Sequence, residues 1–145
     1  MAITIDYGYR TYELCDPDGN VLGVLRFNPS DPGFVGRLEQ LKDKAERLIQ
    51  EEPQTPEQIA EYDSSLKAML DEAFAAPVSA VLFQGLSCFA LCEDGSFVLE
   101  HILNALEPVI RDALERAAKS SDARIAARAA AYEGTAQGLA PGQQA

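Results

Sequence analysis

The stretch Leu25-Arg26-Phe27-Asn28-Pro29-Ser30-Asp31-Pro32-Gly33-Phe34 decides how this chain is read. An apolar run ends at Phe27. Pro29 holds Asn28 extended, so the run cannot pass early into a helix. Asp31 has the side chain of a helix N-cap, and Pro32 falls at the first helical position, where its missing N–H costs nothing. Ser30 is the alternative cap, one residue earlier. The segment predicts a sharp corner between a strand and a helix.

Upstream, residues 3–14 and 21–27 read as paired strands. Ile3, Ile5 and Tyr7 alternate with polar residues, the period of a half-buried strand. Cys15-Asp16-Pro17-Asp18-Gly19-Asn20 between the runs is a hairpin signal: Pro presets φ, Asp bonds nearby backbone and Gly supplies positive φ. Gly23 inside the second run marks a bulge or a close backbone approach.

Downstream, a helix runs to about Glu52. Phe34, Leu38, Leu41, Ala45 and Leu48 recur at spacings of four and three, a narrow apolar seam. Pro53-Gln54-Thr55-Pro56 ends it. Thr55 then caps a second helix with Gln58 placed for a capping box, and Ile59, Tyr62, Leu66, Met69 and Ala73 form its seam. The pair reads as an antiparallel helical hairpin. The seams can close on each other or pair between chains, so homo-oligomers stay open.

Residues 77–96 are mostly apolar. Val78–Phe83 fits a short helix or a buried strand, and Cys88–Cys92 fits a short strand added to the N-terminal hairpin. A long helix from about Phe97 to Ala118 carries the broadest apolar face, including Leu99, Ile102, Leu103, Leu106, Val109 and Ile110. Pro108 should kink or split it. Ser120-Ser121-Asp122 offers a break and a cap before a short Ala- and Arg-rich helix, Ala123–Tyr132. The expectation is a single α+β domain over 1–132, a small antiparallel sheet with helices packed on one side. Residues 133–145, rich in Gly and without an apolar period, read as a disordered tail.

Charge narrows the function. Residues 1–110 hold 7 Lys/Arg and 19 Asp/Glu, a net −12, whereas 111–145 hold 5 and 4, a net +1. An acidic body repels phosphate, so no nucleic-acid partner is expected. No window approaches a membrane span, and the N-terminus has no basic region or apolar signal core, which reads as cytoplasmic. Three cysteines, Cys15, Cys88 and Cys92, fit free thiols in a reducing compartment.

Catalytic chemistry is sparse. Cys88 and His101 are the one pair that could serve thiol catalysis, but Cys88 sits in an apolar run, where burial raises its pKa. Cys88 and Cys92 lack zinc-site spacing, and one His makes a four-ligand site improbable. Glu51-Glu52, Asp71-Glu72 and Glu93-Asp94 read as solvated charges. Asp16, Asp18 and Asn20 imitate the start of a calcium loop, but the Gly comes too early and Phe27 stands where the ligating Glu belongs. No phosphate loop or nucleophile elbow occurs. The chain is expected to be a non-enzyme, with no metal and no cofactor.

The corner motif followed by a charged helix resembles small proteins from tail modules of siphophages and prophages of Gram-positive bacteria: tail assembly chaperones encoded between the major tail protein and the tape measure. Leu82-Phe83-Gln84-Gly85-Leu86-Ser87-Cys88-Phe89-Ala90-Leu91 resembles the family's second signature, an apolar Gly-containing turn. Phe97–Ile110, with its central Pro, resembles the third, and Arg124–Tyr132 resembles the closing basic helix. The resemblance covers most of 3–132 in pieces, and the Ala- and Gln-rich end departs from the family's more basic tail. It implies a protein that binds the tape measure protein, keeps it soluble, helps recruit tail tube protein and is absent from the virion. The expected partner contacts are Leu38, Leu41, Leu48, Tyr62, Leu66 and Met69, with Arg124 and Arg128 on the basic helix. Rival readings are a tail completion or head–tail joining subunit and a phage-encoded regulator or inhibitor of a host protein.

Overall fold

The computed structural model describes residues 1–136, with side chains through residue 130. The order is β1 (Arg10–Cys15), β2 (Val21–Phe27), α1 (Pro32–Gln50), α2 (Pro56–Phe74), α3 (Ser79–Phe83) and α4 (Val98–Ala136). The chain divides into two units between Ile110 and Arg111. The architecture of the first is α+β: one two-stranded antiparallel sheet with helices.

The hairpin turn is built by Asp16. Its carboxylate accepts from the Asp18 and Asn20 N–H groups and from Asn20 Nδ2, at 2.9–3.0 Å, and Gly19 takes φ +88°. These bonds, the Asn20 side chain first, hold the Asp16 carboxyl below its usual range. The register runs from Arg10↔Phe27 to Leu14↔Gly23, then shifts so that Cys15 meets Val21. Leu22 is the extra residue of a bulge beside Gly23, and Gly23 itself is a close approach, because a Cβ there would collide with Val81 Cγ2 of α3.

The first strand is shorter than the expected 3–14. Arg10 already pairs with Phe27, the last residue of β2, and Pro29 turns the chain into the corner. Residues before Arg10 have no strand left to pair with. Gly8 instead adopts φ +70°, its N–H donating to Asp6 Oδ1 at 2.8 Å, while Asn28 Nδ2 donates to the Tyr7 carbonyl at 2.9 Å. Ile3, Ile5, Tyr7 and Tyr9 are left exposed.

At the corner, Asp31 is extended and accepts the Gly33 N–H at 3.0 Å, with Pro32 opening α1. Thr55 caps α2 likewise, accepting from Gln58 N–H at 3.2 Å, while Gln58 Oε1 accepts the Gln54 N–H at 2.7 Å. α1 and α2 form the expected hairpin, with Lys44 Nζ donating to Ser65 Oγ across it at 2.7 Å. The buried line of α2 is Leu66, Leu70, Ala73 and Phe74, so it turns away from the expected Ile59 and Tyr62 toward its C-terminal half. Phe27, Phe34 and Phe74 meet there with ring centroids 4.9–5.0 Å apart. Beside them Arg37 donates to the Ala73 carbonyl from Nε and Nη2, at 3.3 and 3.1 Å, at the helix end where a cation is favoured.

Val78–Phe83 resolves as helix, α3. Asp71 receives both the N–H and the hydroxyl of Ser79, at 2.8 and 3.0 Å. Cys88–Cys92 is not a strand on the hairpin. Its backbone folds against the start of α4, where the Ala90 and Cys88 carbonyls accept from Val98 and Leu99 N–H at 2.8 and 3.2 Å. Leu91 makes only an isolated bridge to Phe97.

α4 excludes one of the two effects expected of Pro108, a split, and the break expected at Ser120-Ser121-Asp122. Pro108 does not split it, because Pro108 and Asn104 both lie on its exposed side, where water can take the freed Asn104 carbonyl. Ser120-Ser121-Asp122 does not break it either; alanines on both sides favour helix strongly enough to carry the three through. Glu133–Ala136 of the expected tail is helix, and residues 137–145 lie outside the described residues.

Two pairs of substitutions test this packing. Gly23→Val should destabilise the fold, and Val81→Ala in the same chain should recover part of the loss, measured by urea unfolding. Phe27→Ala and Phe74→Ala should each cost about 3–5 kcal/mol, and the double variant should cost less than their sum because the rings share one contact.

Candidate functional site

An apolar groove of about 490 Å³ opens between the hairpin, α3 and the first three turns of α4. Strand alternation turns Tyr12, Leu14, Leu25 and Phe27 toward it. From the other side α4 contributes Val98, Ile102, Ala105, Leu106 and Val109, spaced at four, three, one and three, one helical face. Val81 and Leu82 of α3 line it too. Leu25, Phe27 and Leu106 are buried, while Tyr12, Leu14, Val98, Ile102 and Val109 are half-buried. The sheet has only two strands, so its helix-facing side is too narrow to cover the broad face of α4.

Glu13, Asp16 and His101 stand among the lining residues. Among those described, none is lysine or arginine. The sequence marked the α4 face as core; Leu99 and Leu106 are buried there, while Ile102, Leu103, Val109 and Ile110 are half-buried. The hint of a site was its width, more apolar positions than one short hairpin can cover.

The expected partner contacts divide. Leu41 and Leu66 are fully buried and Leu38 nearly so. They are spent on the hairpin's own interior and offer no surface to a partner, which corrects that expectation. Leu48, Tyr62 and Met69 are half-buried, and the Tyr62 hydroxyl donates to Glu51 Oε2 at 3.4 Å. Arg124 and Arg128 are exposed on α4. None of the eight lines the groove.

Cys88 is completely buried, and burial, followed by its bond to Asp63 and that carboxylate's charge, pushes its thiol up to about 12. A thiol so held is protonated at neutral pH and a poor nucleophile. It borders a smaller cavity of about 220 Å³ beside α1, whereas His101 lines the groove. The carboxylates have structural tasks: Asp71 holds Ser79, and Asp94 accepts from the N–H and hydroxyl of Ser96 at 2.9 and 2.6 Å. Among the described residues, no group of three His, Cys, Asp or Glu could hold a metal ion, and no helix is long and apolar enough to cross a membrane.

Asp63 and Lys67 anchor the loop that follows α3. Asp63 Oδ1 accepts the Cys88 N–H at 2.7 Å and Oδ2 lies 3.1 Å from Lys67 Nζ. Lys67 donates to the Leu86 carbonyl at 2.8 Å and sits 5.1 Å over the Phe83 ring. Burial acts to raise the Asp63 carboxyl, but the Cys88 and Lys67 bonds and the Lys67 charge together hold it below the ordinary 3.8. A lowered folded value makes the stabilisation full above the unfolded value and loses it as pH falls through the folded one. Asp63→Asn should therefore lower stability at neutral pH and flatten the loss of stability below pH ~4, read from thermal melts across an acid series.

No family model, curated protein sequence or solved structure matches this chain.

Proposed function

We propose that this protein is a non-catalytic binding protein of the tail assembly chaperone kind, which holds an apolar helical segment of a tape measure protein and helps recruit tail tube subunits. The observation that carries the reading is the open groove of about 490 Å³ with half-buried aliphatic walls on both sides. Peptide helices dock into such grooves through side chains one turn apart. The order of the three sequence signatures supplies the particular partner. The buried, protonated Cys88 supports a role without thiol chemistry.

The partner-binding surface moves from the hairpin seams to the groove, because Leu38, Leu41 and Leu66 are occupied in the hairpin's interior. Ala105 lines the groove and is exposed, so Ala105→Trp fills it without displacing a buried side chain. Co-expression with the proposed tape measure partner should raise the soluble yield of that protein, and Ala105→Trp should abolish the gain. An unchanged yield with the wild type overturns the proposal. Mass spectrometry of purified particles should lack this chain; its retention at stoichiometric level would assign it to the tail structure instead.

A further inference from the structure

We propose that the groove selects a cationic amphipathic helix: about three turns of aliphatic side chains flanked by lysine or arginine. This rests on the groove being the docking site and adds the chemistry of what it accepts.

Length comes from α4. The lining residues of that helix run from Val98 to Val109, about 16 Å at 1.5 Å per residue. They form a ridge of side chains one turn apart, the surface into which a second helix sets its own ridge.

Charge comes from the rim. Asp16 is the carboxylate at the mouth of the groove, since Glu13 between Tyr12 and Leu14 turns its side chain to the other face of β1, and no described lining residue is a lysine or arginine. Asp16 is fixed in place by three hydrogen bonds from Asp18 and Asn20, so its charge sits at a constant position. Residues 1–110 as a whole carry a net −12, which attracts a cationic segment from a distance and repels an acidic one. The same field disfavours closure of the groove by the body of a second copy.

The test uses three labelled helical peptides of equal length and measures fluorescence anisotropy with the full chain. One has a Leu/Ala face and Lys elsewhere, the second has the same face with Glu elsewhere, and the third has the composition of the first scrambled to destroy the face. The Lys peptide should bind at least about tenfold more tightly than the Glu peptide at low salt, with the gap narrowing as salt rises. Ala105→Trp should abolish binding of the Lys peptide.

Equal binding of the Lys and Glu peptides, both blocked by Ala105→Trp, would overturn the charge selection and leave the docking reading standing. Lys and scrambled peptides binding alike, with no effect of Ala105→Trp, would overturn the docking reading as well. A dimer in sedimentation that Ala105→Trp dissociates would overturn the proposal in favour of a second copy in the groove.

Discussion

The contact of Phe27, Phe34 and Phe74 is the constraint on which the rest of the fold depends. Phe27 ends β2, Phe34 lies in the first turn of α1 and Phe74 ends α2, and the three rings pack at 4.9–5.0 Å. Two of these pairs are edge-on, the arrangement aromatic quadrupoles favour. The cluster ties the sheet to both arms of the helical hairpin at one point. The corner from Leu25 to Phe34 exists to deliver two of the rings: Asn28-Pro29 ends the strand, Asp31-Pro32 starts the helix, and seven residues later in sequence the second ring faces the first.

That arrangement also explains the groove. With Phe27 held against the helical hairpin, the two-stranded sheet stands to one side of α4, and α3 meets the sheet at Gly23, where only a missing Cβ leaves room for Val81. Among the described residues the sheet has no third strand to widen it, because the chain before Arg10 has run past the end of its partner. The broad face of α4 is thus covered along one edge, by the residues around Leu99 and Leu106, and left open along the other.

Local features were legible where one residue type has one physical use. Asp16 and Gly19 in the hairpin turn, Asp31 and Thr55 as caps and Gly23 as a close approach all act as their chemistry predicts. Burial of Cys88 was legible from its apolar surroundings. Features that depend on competition were not. Pro108 and the run Ser120-Ser121-Asp122 carry helix-breaking tendencies that the rest of α4 outweighs, and the strand signal of Ile3, Ile5 and Tyr7 has no neighbouring strand to act on. The seams show the same limit: the periodicity of Leu38, Leu41 and Leu66 states that a face is buried, but not whether the chain itself or a partner buries it.

The sequence alone determined the order of β1, β2, α1 and α2, the corner, the caps, the hairpin turn and the acidic body, because each follows from local backbone geometry or from summed charge. Tertiary structure decided which apolar face stayed open. Leu41 and Leu66 vanish into the interior and Ile102 and Ala105 remain at the groove because Phe27, Phe34 and Phe74 fix where the sheet stands against the helices. That choice rests on contacts between residues some forty positions apart, which no local pattern encodes.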